Sequence, residues 1–406
     1  MATGIFVTSQ FTTDHAKKSF ASMITRLMPN GNAPLFGLTA QLDSETAVAV
    51  EHGFFAKTML FPEMTNGGTA AVAGDTTLNV VSTANILPGM IFRVDATGEN
   101  IIVNTVVSAT QITVARGVGT VAAGAIAIAG KLYQVGNAYE EASNRPVAQQ
   151  VQPVRITNYT QIFRNTWTIS DTVRATQMIA GDGNTAESRQ DCAAFHATAI
   201  ETALFFGQKS TGTRNGQPFR TMDGLISIVG NLTYYPPSYA SANVTTLAAT
   251  TNYTQLEAAL DPVFNQATDP KIANERVLFV GGAAKRVLNN IGRLNGTYQL
   301  MDGQTNYGLQ FSTFKIARGT FRVIEHPLFN TNSTWSKMGV AVDLSTFKLA
   351  YLGNRKTKNE EFGENGKVPD NGQDAIGGTL TTELTCLIKN PPANAVLYNF
   401  TAAAQG

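Results

Sequence analysis

Residues 160–206 read TQIFRNTWTISDTVRATQMIAGDGNTAESRQDCAAFHATAIETALFF, and their hydrophobic period changes partway through. From Thr160 to Ile169, Ile162, Thr166 and Thr168 alternate against Phe163, Trp167 and Ile169, the two-residue period of a strand with distinct faces. Ser170-Asp171 then opens a short helix predicted to run through Met178, and Gly181-Asp182-Gly183 breaks it. Asn184 followed by Glu187 forms a capping-box pattern. An Ala-rich helix follows from Thr185 to about Phe206, spanning about 30 Å at 1.5 Å per residue, enough to be the spine of a domain.

Toward the N-terminus, Asp14 can cap a helix carrying Ala16, Phe20, Met23, Ile24 and Leu27, which Pro29-Asn30-Gly31 stops. Leu35 to Phe61 reads as an extended strand or arm, with an aromatic cluster at Phe54, Phe55 and Phe61. Between about 71 and 138 the texture becomes short β-type runs: Thr77–Val81, Met90–Val94, Ile101–Val107, Gln111–Val114 and Ala125–Leu132. Gly, Pro or Asp separate them, and this predicts a small all-β module inserted between mixed segments.

Beyond the long helix, Tyr253–Gln266 is predicted helical. Arg276–Val280 is a strand that turns through Gly281-Gly282 into a helix, Ala283–Ile291. Lys315–Ala317 and Phe321–Glu325 flank Arg318-Gly319-Thr320 as a hairpin, and Gly339–Val342 and Phe347–Leu352 are further strands. Glu360–Gly378 reads as a polar, Gly-rich loop, Thr379–Ile388 alternates as a strand, and Ala395–Tyr398 is apolar. Helices mixed with mostly antiparallel strands make the class α+β.

Composition narrows the function. The 406 residues are 43% hydrophobic but only 15% charged, against roughly 25% charged in an ordinary soluble domain. A neutral polar surface suits a subunit packed among copies of itself, because interface centres exclude charge. It also suits a secreted β-protein. The net charge of +1 gives no large positive field, so tight grip on a phosphate backbone is disfavoured while simple enclosure of nucleic acid is not. Met1–Phe20 holds no signal-like apolar run, and no 18 consecutive apolar residues occur, so folding in the cytoplasm is expected and no membrane partner.

No constellation for catalysis emerges. Gly181-Asp182-Gly183 is not followed by the Lys-Ser/Thr of a P-loop, and Val280–Lys285 fits neither the dinucleotide nor the Walker spacing. His15, His52, His196 and His326 are scattered singly, so no metal and no cofactor is expected. Cys192 and Cys386 sit in no nucleophile motif and form no disulfide framework. The paired carboxylates Glu140-Glu141 and Glu360-Glu361 lie in polar segments where solvated charge is the default.

The ordered set Gln161–Thr166, Ser170-Asp171-Thr172, the capped long helix and Arg220-Thr221-Met222-Asp223-Gly224-Leu225 resembles a family of tailed-bacteriophage major capsid proteins. Pro34-Leu35-Phe36, Gly98-Glu99, Thr113-Val114-Ala115-Arg116-Gly117, Thr381-Thr382-Glu383-Leu384 and Asn390-Pro391 match it in order. The long polar loop from Glu364 to Gly378 and the sparse charge on the long helix depart from it.

The resemblance implies the α+β fold named after phage HK97. Its parts would be an N-terminal arm at 1–50, an E-loop region at 51–165 carrying the β-module, and a peripheral (P) domain at 166–230 with spine helix 185–206. An axial (A) domain at 231–345 and a return to the peripheral sheet at 346–406 complete it. It further implies a non-enzymatic virion protein, assembled in a bacterial cytoplasm, whose copies form hexamers and pentamers of an icosahedral shell around double-stranded DNA bound without sequence specificity. Scaffold, portal and decoration proteins are the other expected partners. Phe54, Phe55 and Phe61 are candidate anchors between subunits, and Arg164, Arg174 and Arg189 candidate charged contacts. Some relatives of this fold join a lysine to an asparagine, and Lys57 lies in the corresponding region. The alternatives are an encapsulin-like cargo compartment, which shares the fold, and an extracellular adhesive β-protein.

Overall fold

The computed structural model describes residues 33–57, 62–148, 153–176, 185–235, 241–265, 274–294, 302–306, 309–363 and 373–404. The expected Asp14 helix and its Pro29-Asn30-Gly31 stop, Phe61, the Gly181-Asp182-Gly183 break and the Asn184 cap lie outside them. Six α-helices are described: α1 Pro34–Ala40, α2 Asp171–Ala175, α3 Thr185–Phe206, α4 Leu225–Gly230, α5 Tyr253–Leu260 and α6 Gly282–Leu294. The chain divides into two compact units. One holds the described residues within Met1–Gly53, Thr157–Leu232 and Ser241–Gly406, the other those within Phe54–Ile156 and Thr233–Ala240.

In the first unit, a five-stranded sheet runs Glu45–Ala47, Phe347–Leu352, Ala375–Ile388, Gln161–Ser170, with Lys358–Phe362 also paired to Ala375–Ile388. Gln161–Ser170 lies antiparallel to Ala375–Ile388, from Gln161 opposite Leu384 to Ser170 opposite Ala375. The alternation works as expected: Phe163 and Trp167 are buried while Ile162, Arg164, Thr166 and Thr168 are exposed. Trp167 packs with Cys192 of α3 and Leu380, and His196 of α3 bridges Asn165 Oδ1 at 2.9 Å and Thr382 Oγ1 at 2.7 Å. The spine helix is thus fixed to the sheet by apolar packing and by a buried polar group with both ring nitrogens engaged.

A seven-stranded sheet in the same unit has the order Val244–Thr246, Ala395–Tyr398, Gly339–Val342, Glu275–Val280, Thr320–Glu325, Leu309–Lys315, Asp302–Asn306. Glu275–Val280 runs parallel to Thr320–Glu325 and antiparallel to Gly339–Val342. Leu256 and Leu260 of α5 and Ala284, Val287, Leu288 and Ile291 of α6 bury against Leu278, Phe321, Leu397 and Phe400. Each large side chain removed from water this way contributes about 1.5–3 kcal/mol. Asn252 caps α5 in a reciprocal capping box with Gln255.

The second unit contains a six-stranded antiparallel sheet, Glu63–Thr65, Lys131–Asn137, Met90–Val94, Asn100–Ser108, Gln111–Ala115, Thr77–Asn79. Its core is drawn from its own strands, including Met64, Leu78, Phe92, Ile101, Ile112, Val114 and Leu132.

Several expectations need correction. Leu35–Phe61 is not wholly extended: Pro34–Ala40 is helical, with Pro in the first turn and Leu35 and Thr39 buried. The helix after Ser170 stops at Ala175 with Thr176 extended, because Thr172, Val173 and Thr176 are poor helix formers and the Thr176 hydroxyl donates to the Thr172 carbonyl at 2.7 Å. The helix from Tyr253 ends at Leu260 and tightens into a 3₁₀ turn at Asp261–Phe264, where Pro262 stands.

The β-module's sheet begins at Glu63, earlier than 71, and its last strand is Lys131–Asn137. Ala125–Leu132 is not one strand: Ile126 pairs with Ala71, the chain then turns at Ala127–Gly130 with Ala129 at φ 61°, and Lys131 and Leu132 already belong to the last strand. The predicted loop Glu360–Gly378 has strand at both ends, Phe362 opposite Gly377 and Glu361 opposite Gly378. Glycine is required there: a Cβ on Gly377 would lie 2.5 Å from the Phe362 ring, and one on Gly378 2.8 Å from the Trp167 indole nitrogen. Finally, the strands of 346–406 are shared between sheets, with Phe347–Leu352, Lys358–Phe362 and Ala375–Ile388 in the five-stranded one. Ala395–Tyr398 pairs with Gly339–Val342 and Val244–Thr246 in the seven-stranded sheet.

Candidate functional site

Phe54 and Phe55 lie on the strand Glu51–Ala56, which pairs with Val154–Tyr159. Successive strand residues face opposite ways, so Phe54 is half-buried while Phe55 is 70% exposed. An exposed phenyl forgoes the 1.5–3 kcal/mol that burial would supply. Val48 is 95% exposed and Val147 75%. Exposed apolar side chains held on ordered backbone are what a partner surface can cover.

The three candidate arginines differ in their surroundings. Arg164 stands exposed on the sheet's outer face, without an ion-pair partner among the described residues. Arg174 donates to Asp171 Oδ1 at 2.7 Å on its own short helix, and that arginine holds the Asp171 carboxyl below its ordinary range. Arg189 pairs with Glu361 and lies over the Trp167 ring, 5.4 Å from its centroid. Arg189 therefore ties α3 to the Lys358–Phe362 strand of its own chain.

Inspection of the sequence missed the buried charge clusters that hold these surfaces in place. The Glu201 carboxylate, in the apolar stripe of α3 between Ile200 and Leu204, accepts the N–H groups of Leu35 at 2.8 Å and Phe36 at 2.7 Å. It also meets His326 Nε2 at 2.7 Å, with both side chains fully buried. The Leu328 N–H donates to His326 Nδ1 at 3.3 Å, which leaves Nε2 as the protonated nitrogen donating to Glu201. A glutamate on the buried stripe of an Ala-rich helix was the available signal. Its partners, 125 to 166 residues away, were not visible.

The matched motifs acquire physical roles. Glu99 is buried and accepts a forked pair of bonds from Arg116, at 2.7 and 2.8 Å, plus the N–H groups of Gly117 at 2.9 Å and Gly124 at 3.1 Å. Burial pushes its carboxyl up, but Arg116 and the two N–H groups outweigh this and hold it below its ordinary value. Glu383 is likewise buried, with Arg355 at 2.8 Å, Arg220 at 3.6 Å and the Thr160 hydroxyl donating at 2.9 Å. Gln161 Oε1 accepts the Met222 N–H at 3.0 Å. A Cβ on Gly224 would meet the Gly207 nitrogen at 2.6 Å, which accounts for the glycine after Asp223.

These clusters are structural in chemistry. Among the described residues, no group of three or more His, Cys, Asp or Glu is placed to hold a metal. Burial and the nearby Asp223 charge push the Cys386 thiol up to about 12, and burial alone raises Cys192, so neither is an activated nucleophile. Among the described residues no helix is long and apolar enough to cross a membrane.

Known proteins agree with this picture. The family model for SU10 major capsid proteins matches residues 7–401. The major capsid protein of Pseudomonas phage PaMx41 is 38% identical over 411 residues, covering 99% of this chain and 97% of that one. Among solved structures, the capsid asymmetric unit of cyanophage A-1(L) superposes with a TM-score of 0.51 at 9% identity, over 97% of this chain and 100% of that chain. The capsid of a native GTA particle covers 99% and 100%, with a TM-score of 0.47 and 9% identity. The chain belongs to the SU10 major capsid protein family and has the HK97-like capsid fold.

Proposed function

We propose that this chain builds a phage head by self-association, its copies forming hexamers and pentamers that close into an icosahedral shell around double-stranded DNA. The observation that carries the reading is family membership across almost the whole chain, since capsid proteins of this family act by assembly. No catalysis is required: many modest contacts add up when each copy touches several neighbours. The nearly neutral charge suits enclosure of DNA without sequence readout. Scaffold, portal and decoration proteins would join the same particle, assembled in the host cytoplasm.

Within this reading, residues 1–50 serve as arm, 51–165 as E-loop region with the β-module, 166–230 as peripheral domain, and 231–345 with Ala395–Tyr398 as axial domain. Phe55, with Phe54 and Phe61, anchors a neighbouring copy, and Arg164 is the arginine free to pair across a subunit boundary. Arg174 and Arg189 contribute through the surfaces they fix. Electron microscopy of the expressed chain tests the reading, which expects uniform shells or capsomers. A protein that stays monomeric at high concentration overturns it. Phe55→Asp should lower the yield of closed shells by about tenfold or more without changing the melting curve, and shells at normal yield would remove Phe55 from the interface.

A further inference from the structure

An open groove of about 720 Å³ runs along α6 beside residues 400–403. Val287, Leu294 and Phe400 give it an apolar floor, and Arg286, Arg293 and Lys337 stand around it with no carboxylate in its lining. All three cations are exposed, and none has a side-chain partner among the described residues. Elsewhere among the described residues many arginines are paired: Arg116, Arg189, Arg276, Arg318, Arg322 and Arg355 each have a carboxylate within 4 Å. Three unpaired cations at an apolar cleft of ligand size ask for an anionic occupant with apolar surface.

The same chain carries such a segment. Tyr139-Glu140-Glu141 is fully described and exposed, and neither glutamate has a partner among the described residues. A turn closed by the Ser143 N–H donating to the Glu140 carbonyl, with Ala142 at φ 60°, holds the two carboxylates on a tight bend. The other adjacent pair is committed, since Glu361 takes Arg189 and Glu360 is in a strand.

We propose that the groove receives the Tyr139–Glu141 segment of a second copy of this chain. The inference rests on the shell-building reading and gives it a specific contact: two glutamates against Arg286, Arg293 and Lys337, with the tyrosine ring on the apolar floor. The apolar floor favours this occupant over a nucleic-acid backbone, whose phosphates call for cations and hydrogen-bond donors and gain nothing from an apolar surface. Complementary charge across the contact would also set register and exclude wrong pairings.

A charge swap in the full chain, read by sedimentation of particles, decides the matter. Arg286→Glu with Arg293→Glu should lower the assembled fraction at least tenfold, and Glu140→Lys with Glu141→Lys should do the same. All four together should return it to within about threefold of the unmodified protein. Melting curves separate a lost contact from a lost fold, and Gln in place of the reversed charges is the milder variant should a reversal unfold the chain. A four-fold variant no better than either pair, or either pair assembling normally, overturns the proposal. Normal shells with reduced nucleic-acid content in the arginine variant also overturn it, assigning the groove to phosphate. If the unmodified chain forms no particles, the shell reading fails separately. The peptide spanning Ala138–Ser143, titrated into the full chain, then decides: saturable binding weakened about tenfold by the arginine pair sustains the contact, and no saturable binding overturns it.

Discussion

At the residue scale, two buried glutamates each gather several donors from distant parts of the chain. Glu99 has four donors and Glu201 three, all inside the protein. Removing one partner of a buried charge pair leaves the other unpaired, which costs about 3–5 kcal/mol. Arg116→Met should therefore destabilise the β-module by that amount, seen as a lower urea midpoint with an unchanged slope. The sign with pH follows from the depressed Glu99 carboxyl. Its stabilisation is full above the ordinary carboxylate range and is lost as pH falls through the lower, folded-state value. The unmodified module should thus weaken below about pH 4.5, and Arg116→Met should flatten that dependence. The Gly98-Glu99 and Arg116-Gly117 pairs were legible as matching motifs, but their meeting was not, since a side-chain bond between residues flanking two strands leaves no periodic trace.

At the scale of elements, the alternation in Thr160–Ile169 and the Ala-rich run of the spine helix were readable because one period dominates each. Pro34–Ala40 was not, because it is short and its first N–H groups are satisfied by Glu201 from another helix rather than by a local cap. Glu201→Ala should fray that helix and leave the His326 N–H unpartnered. We expect a loss of about 3 kcal/mol or more by denaturant melting, with Glu201→Gln losing less because its amide oxygen still accepts. The ends of the Glu360–Gly378 segment were misread for the opposite reason: glycine there signals a close approach of Trp167 and Phe362, not a loop. Gly377→Ala should cost about 1–3 kcal/mol through overpacking, measurable as a shift in melting temperature.

At the scale of the whole molecule, composition and the absence of catalytic motifs narrowed the field but could not choose among assembling proteins. The ordered motifs could, because they run in order from α1 through the module, the five-stranded sheet and the spine helix to Asn390-Pro391. The module itself permits a test. Among the described residues its apolar core is drawn from Met64 to Leu132, and the ion pair of Glu99 with Arg116 is internal. A sheet with its own core and satisfied buried charge needs nothing from elsewhere to fold. The fragment 62–138 should therefore be a monomeric β-domain with a single cooperative unfolding transition. At this size its stability should be only a few kcal/mol, so the Arg116→Met change in the isolated fragment should unfold it outright rather than lower its midpoint. A fragment without cooperative unfolding would mean that the module depends on contacts beyond its own strands.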